Sequence, residues 1–133
     1  MNKYENIKMV YDAGDQLQFN YGLEFGYFAN KITNNDLNEF CNIVNTDKLT
    51  TTLSYKLCLG KLVNGKIVLC CKNYDKNLEF QIKVFDHSLY FCLKNDDWTK
   101  IDENFFHLVQ NKWFNFLETK LDDYHSNMLP ISP

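Results

Sequence analysis

The 133-residue sequence contains no arginine; all 14 of its basic residues are lysine. Arginine's planar fork is the group that grips phosphate and guanine bidentately. No basic cluster replaces it, so nucleic acid is excluded as the expected partner. Also missing is any run near the roughly 18 consecutive apolar residues that a membrane span requires. The N-terminal MNKYENIKMV has no apolar signal core. These absences predict a soluble chain that acts in the cytoplasm of the producing or host cell, without a membrane partner or, in this form, a cleaved export signal.

Catalytic signatures are missing too. No GxGxxG, P-loop, HExxH or GxSxG occurs. The five cysteines (Cys41, Cys58, Cys70, Cys71, Cys92) include no CxxC spacing, so zinc and thioredoxin-like sites lack their pattern. Their number is odd and they sit inside apolar periodic segments, where reduced thiols behave as small hydrophobes. The balance favours a non-enzymatic protein over an enzyme, without deciding between them, and no cofactor or metal is expected.

What is present is an aromatic surplus. Phe, Tyr and Trp make up 16% of the chain, against 45% hydrophobic and 23% charged residues overall. That balance suits one globular domain over 1–133, with no repeat or linker to divide it. A core so rich in rings either packs solid or walls a cavity.

Residues 3–12 place Tyr4, Ile7, Val10 and Tyr11 at helical spacing, which predicts a short N-terminal helix ended by Gly14. Residues 16–28 alternate strictly: Leu17, Phe19, Tyr21, Leu23, Phe25 and Tyr27 on one side, with Gly22 and Gly26 on the other. This reads as a long strand, its glycines permitting a bend. Asp36 as N-cap with Glu39 in a capping box predicts a helix to about Asn45. Asn64-Gly65 between two strand-like runs predicts a two-residue type I′ hairpin that sets Cys58 opposite Cys71. Such a pair would lie at a non-hydrogen-bonded site, with Cα atoms about 4.5 Å apart and within disulfide range, although in a reducing cytosol it reads as two reduced thiols packed side by side. A two-residue turn at Asp86-His87 would set Val84 opposite Leu89 and Ile82 opposite Phe91, with His87 exposed. Finally, Asp102 caps a long helix whose stripe of Phe105, Phe106, Val109, Trp113, Phe116, Leu117 and Tyr124 lies opposite Glu103, His107, Asn111, Glu118 and Asp122.

The fold class is therefore α+β: an antiparallel, curved sheet of about five strands packed against a long C-terminal helix, with one or two short helices in the N-terminal half. Two functions compete. The first is binding to another protein as an inhibitor, immunity or antagonist protein, chaperone or adaptor, through Asp96, Asp97, Trp98 and Phe114. Trp is a favoured interface anchor, and Phe114 sits at the polar border of its helix. The second is a small-ligand or enzymatic pocket between sheet and C-terminal helix, lined by Phe19, Tyr21, Phe25, Tyr27, Phe80 and Phe91. Self-association through a sheet edge is a third reading. Glu103 and His107 have metal-ligand spacing (i, i+4) but read as a solvated pair.

Overall fold

A computed structural model describes residues 7–12, 32–85, 87–93 and 97–128. The expected strand over 16–28 lies outside these residues, and with it Phe19, Tyr21, Gly22, Phe25, Gly26 and Tyr27; so does Asp96.

The elements run β1 (Ile7–Asp12), α1 (Asn34–Asn45), α2 (Lys48–Thr52), β2 (Tyr55–Lys61), β3 (Ile67–Asn73), β4 (Leu78–Phe85), β5 (Ser88–Cys92), a 3-10 turn (Asp97–Lys100) and α3 (Glu103–Met128). The class is α+β. Strands β2 to β5 form an antiparallel meander, and β1 adds to the β5 side, giving the order β1-β5-β4-β3-β2.

Of the segment expected as an N-terminal helix over 3–12, Ile7–Asp12 is a strand, and residues 3–6 lie outside the described residues. Ile7, Met9 and Tyr11 also alternate with period two, and pairing decides between the two periods. Met9 aligns with Phe91 and Tyr11 with Leu89, so β1 satisfies backbone groups that β5 would otherwise leave open.

Helix α1 begins three residues earlier than the expected N-cap. Thr33 is the N-cap: its hydroxyl accepts from the Asp36 amide (3.1 Å), and the Asp36 carboxylate accepts from the Thr33 amide (2.9 Å). Asp36 is therefore the third residue of the capping box. Glu39, expected in that role, instead reaches Lys120 of α3. The short α2 has no counterpart in the sequence reading. Its N-cap Asp47 accepts from the Leu49 amide at 2.9 Å.

The β2–β3 hairpin differs from expectation by one residue. Leu62 accepts from the Gly65 amide and donates to the Lys66 carbonyl, both at 2.8 Å. Gly65 has φ +86°, and Asn64 is not among the positive-φ residues. This is a three-residue loop, a type I turn closed by a glycine bulge, rather than the type I′ turn. Every pairing shifts in consequence: Cys58 faces Cys70, and Leu57 faces Cys71. At β4–β5 the register matches the expectation, Val84 to Leu89 and Ile82 to Phe91.

The core lies between one sheet face and the helices. Phe105, Phe106, Val109, Trp113, Phe116 and Leu117 of α3 are buried, as the stripe predicts. Leu37, Phe40, Cys41 and Val44 of α1 join them. Rings interlock edge-on and tilted: Phe40 with Trp113 at 4.9 Å, and Phe91 with Phe106 at 4.9 Å. Tyr55 stacks on Phe105 at 3.8 Å, and its hydroxyl accepts from the Asp102 amide, fixing the start of α3 to β2. Asp102 also caps α3 as expected, accepting from the Asn104 and Phe105 amides. Buried Asn73 shapes the β3–β4 turn by accepting from the Asp75 and Lys76 amides and donating to the Leu53 carbonyl.

Among the described residues strand β2 is an edge of the sheet, and α1 covers part of it. The Asn45 side chain accepts from the Leu57 amide (2.8 Å) and donates to the Leu57 carbonyl (2.7 Å). One amide side chain thus imitates a neighbouring strand at the position where β2 would otherwise offer both groups outward.

Candidate binding face

The residues singled out in the sequence fall into separate places. Phe80 and Phe91 are buried in the core with their rings 6.5 Å apart. Trp98, in the 3-10 turn, is half-buried, its ring edge-on to Phe106 at 5.4 Å. Phe114 is half-buried and packs against the core. Asp97 lies in the same turn as Trp98. Glu103 and His107 form an exposed i,i+4 pair at 3.6 Å, and among the described residues no group of His, Cys, Asp or Glu could hold a metal ion. His87, expected at the surface, is 2% exposed with φ +76°. Its carbonyl accepts from the buried Trp113 indole N–H at 2.7 Å, so the β4–β5 turn is pinned to α3. A turn residue tied to a core tryptophan cannot face water.

Among the described residues three large apolar side chains stand exposed: Tyr74 in the β3–β4 turn, and Val63 and Phe85 at the opposite end of the sheet, which carries the β2–β3 loop. The type I turn lifts Val63 clear of the protein, at 108% exposure. At the end of β4, Phe85 is 57% exposed. Phe85 lines an open cleft of about 340 Å³ together with Leu62, Lys66, Ile67, Val84 and Tyr90, with Lys83 beside them. The Lys66 ammonium stands 6.0 Å from the Phe85 ring centroid, where the ring's negative face attracts it. Lys66 and Lys83 are the charged residues among the described lining, so apolar side chains and two ammonium groups share the cleft.

Sequence patterning misses this face, although one signal points to it. In the alternation of β4, Phe85 falls in the phase of Glu79, Gln81 and Lys83, the polar side. A phenyl ring in a polar phase requires a cover.

A second, smaller cleft of about 250 Å³ runs between α1 and α3. It is closed electrically: Lys120 meets Asp36 at 2.9 Å and Glu39 at 3.2 Å and lies 5.3 Å from the Phe116 ring centroid. Lys112 meets Asp47 at 3.3 Å. Partial burial pushes the Asp36 carboxyl up, but the Thr33 amide and Lys120 outweigh it and hold it below the ordinary value. The bond to Asp36 raises Lys120 in turn. These charges satisfy one another, so this cleft is a clasp between helices.

Neither cleft enters the space between the sheet and α3, which Phe80, Phe91, Phe105, Phe106 and Trp113 fill. No family model, curated protein or solved structure matches the chain at a significant level.

Proposed function

We propose that the chain acts by binding another protein, and that the contact is the loop end of the sheet rather than the Trp98 and Phe114 region. The observation that supports this is the exposed Val63 and Phe85 at the loop end, with Phe85, Lys66 and Lys83 lining one cleft. Exposed aromatic and aliphatic groups beside a cleft with apolar lining suit an anchor residue from a partner. The lysines suit carboxylates next to that anchor. The partner segment on this reading is acidic with one large apolar side chain, despite the chain's own net charge of −3. Inhibitor, antagonist and adaptor roles all use such a contact. Five free thiols favour action in a reducing cytoplasm. The alternative, a pocket between sheet and α3 with a strongly curved sheet around it, needs room where the core rings pack.

A photo-crosslinking residue in place of Val63, in the producing cell, tests the proposal. The expected product is a discrete adduct whose partner peptide carries Asp or Glu beside an apolar residue. Phe85→Ser should abolish it without lowering the thermal midpoint, and the same probe at exposed Thr52 should give none. An adduct that survives Phe85→Ser, or no adduct at Val63, overturns the proposal.

A further inference from the structure

The shifted hairpin register brings two cysteines together on an accessible part of the sheet. Cys58 and Cys70 are directly opposed on β2 and β3. Cys58 is exposed, Cys70 is partly exposed, and both are free thiols. The Leu57 amide and carbonyl both point outward to Asn45, so the next residue, Cys58, points its own backbone groups inward to β3. The pair therefore occupies a hydrogen-bonded site, with Cα atoms about 5.5 Å apart, inside the range a disulfide spans.

Each sulfur has a different neighbour in the reduced chain. The Cys58 thiol lies 3.7 Å from the Cys70 carbonyl. The Cys70 sulfur leans over Gly60, close enough that a Cβ at Gly60 would collide with it. Rotation about the Cys70 Cα–Cβ bond carries that sulfur from Gly60 toward Cys58. We propose that Cys58 and Cys70 form a reversible thiol–disulfide site that exchanges with low-molecular-weight disulfides of the glutathione type. A bond at this site is exposed to external thiols, which is a property of labile disulfides rather than structural ones.

The other three cysteines are placed to stay out of the exchange. Cys71 is on the opposite face of β3, and Cys41 and Cys92 are buried. Cys92 is separated from Cys70 by Gln81 on the intervening strand, two strand spacings or roughly 10 Å away, beyond bridging range. Burial pushes the Cys41 thiol up to about 12 and raises that of Cys70 as well, with the neighbouring Cys58 adding to both. The first attack therefore belongs to exposed Cys58.

The exchange balances in two steps. The Cys58 thiolate attacks one sulfur of the external disulfide; the S–S bond breaks, one thiolate leaves with the electron pair, and a mixed disulfide forms on Cys58. Cys70 loses its proton and attacks the Cys58 sulfur, expelling the second thiolate. Two protein thiols give up two electrons and two protons, and the external disulfide is reduced to two thiols.

The test uses the reduced native chain, incubated with oxidised glutathione, alkylated and mapped by mass. The expected result is the loss of two alkylatable thiols, a peptide linking Cys58 to Cys70, and full reversal by dithiothreitol. Cys70→Ser should stop at a mixed disulfide on Cys58. Cys58→Ser should keep the thiol count of its untreated form, and Cys41→Ala should behave as the parent chain. Circular dichroism of each variant confirms folding before treatment. An unchanged thiol count in the parent, a mixed disulfide that never resolves there, or a bond from Cys58 to Cys41 overturns the proposal.

Discussion

Replacing Asn45 by alanine tests the claim that α1 guards the edge of β2. Two hydrogen bonds to Leu57, at 2.8 and 2.7 Å, are lost at once. At a net contribution near 1 kcal/mol each, that is about 2 kcal/mol. Both Leu57 groups are partly shielded by α1, so incomplete rehydration adds up to about 1 kcal/mol. Alanine is the better helix former and returns about 0.5 kcal/mol at the end of α1. The expected net loss is about 1.5–2.5 kcal/mol, or a drop in thermal midpoint of roughly 5–10 °C for a chain of this size. Urea unfolding followed by tryptophan fluorescence measures it, with exposed Asn42→Ala on the same helix as the control. The variant also bares a strand edge, so light scattering at rising concentration should show self-association that the parent lacks. A loss below about 0.5 kcal/mol, the range of ordinary surface substitutions, would refute the reasoning.

Trp113→Phe should cost about 2–4 kcal/mol, because it empties part of a fully buried site and strips the His87 carbonyl of its donor; urea midpoints report it, and a loss under about 1 kcal/mol would mean the indole bond does not hold the turn. Acid should unfold the chain partly through Asp36. Its folded value is depressed below the ordinary 3.8, so its contribution is complete above that value and is lost as pH falls through the lower folded one. Lys120→Ala should flatten the fall in stability as pH drops below the ordinary carboxyl value of 3.8, and equal slopes in both chains over that acid range would count against the clasp.

The parts legible in the sequence are those where local pattern and tertiary packing agree. The α3 stripe and the β4–β5 register are examples: the turn length at Asp86-His87 and the apolar phase of both strands demand the same pairing. The β2–β3 register failed because Asn-Gly serves two loops. Both place glycine at positive φ, and they differ by one residue in length. That single residue exchanges Cys71 for Cys70 opposite Cys58, so the redox pair was invisible before the structure. Residues 3–12 fit two periods, and the choice between them rests on Leu89 and Phe91, about eighty positions away. His87 was misplaced for a similar reason: its environment is set by Trp113 on another element. The proposed binding face is built on exposed residues, Val63 and Phe85, and core periodicity does not mark such positions.

The place of β1 also orders assembly in time. Strands β2 to β5 are joined by short turns, so the meander can zip from neighbouring contacts as the chain emerges. Strand β1 comes first in synthesis and has its partner last: Tyr11 must wait for Leu89. Closing so long a loop is entropically costly until the meander and α3 have built a surface to receive it. Until then β5 is an open edge, and the interval before β1 docks is when a nascent chain is most exposed to pairing with its neighbours.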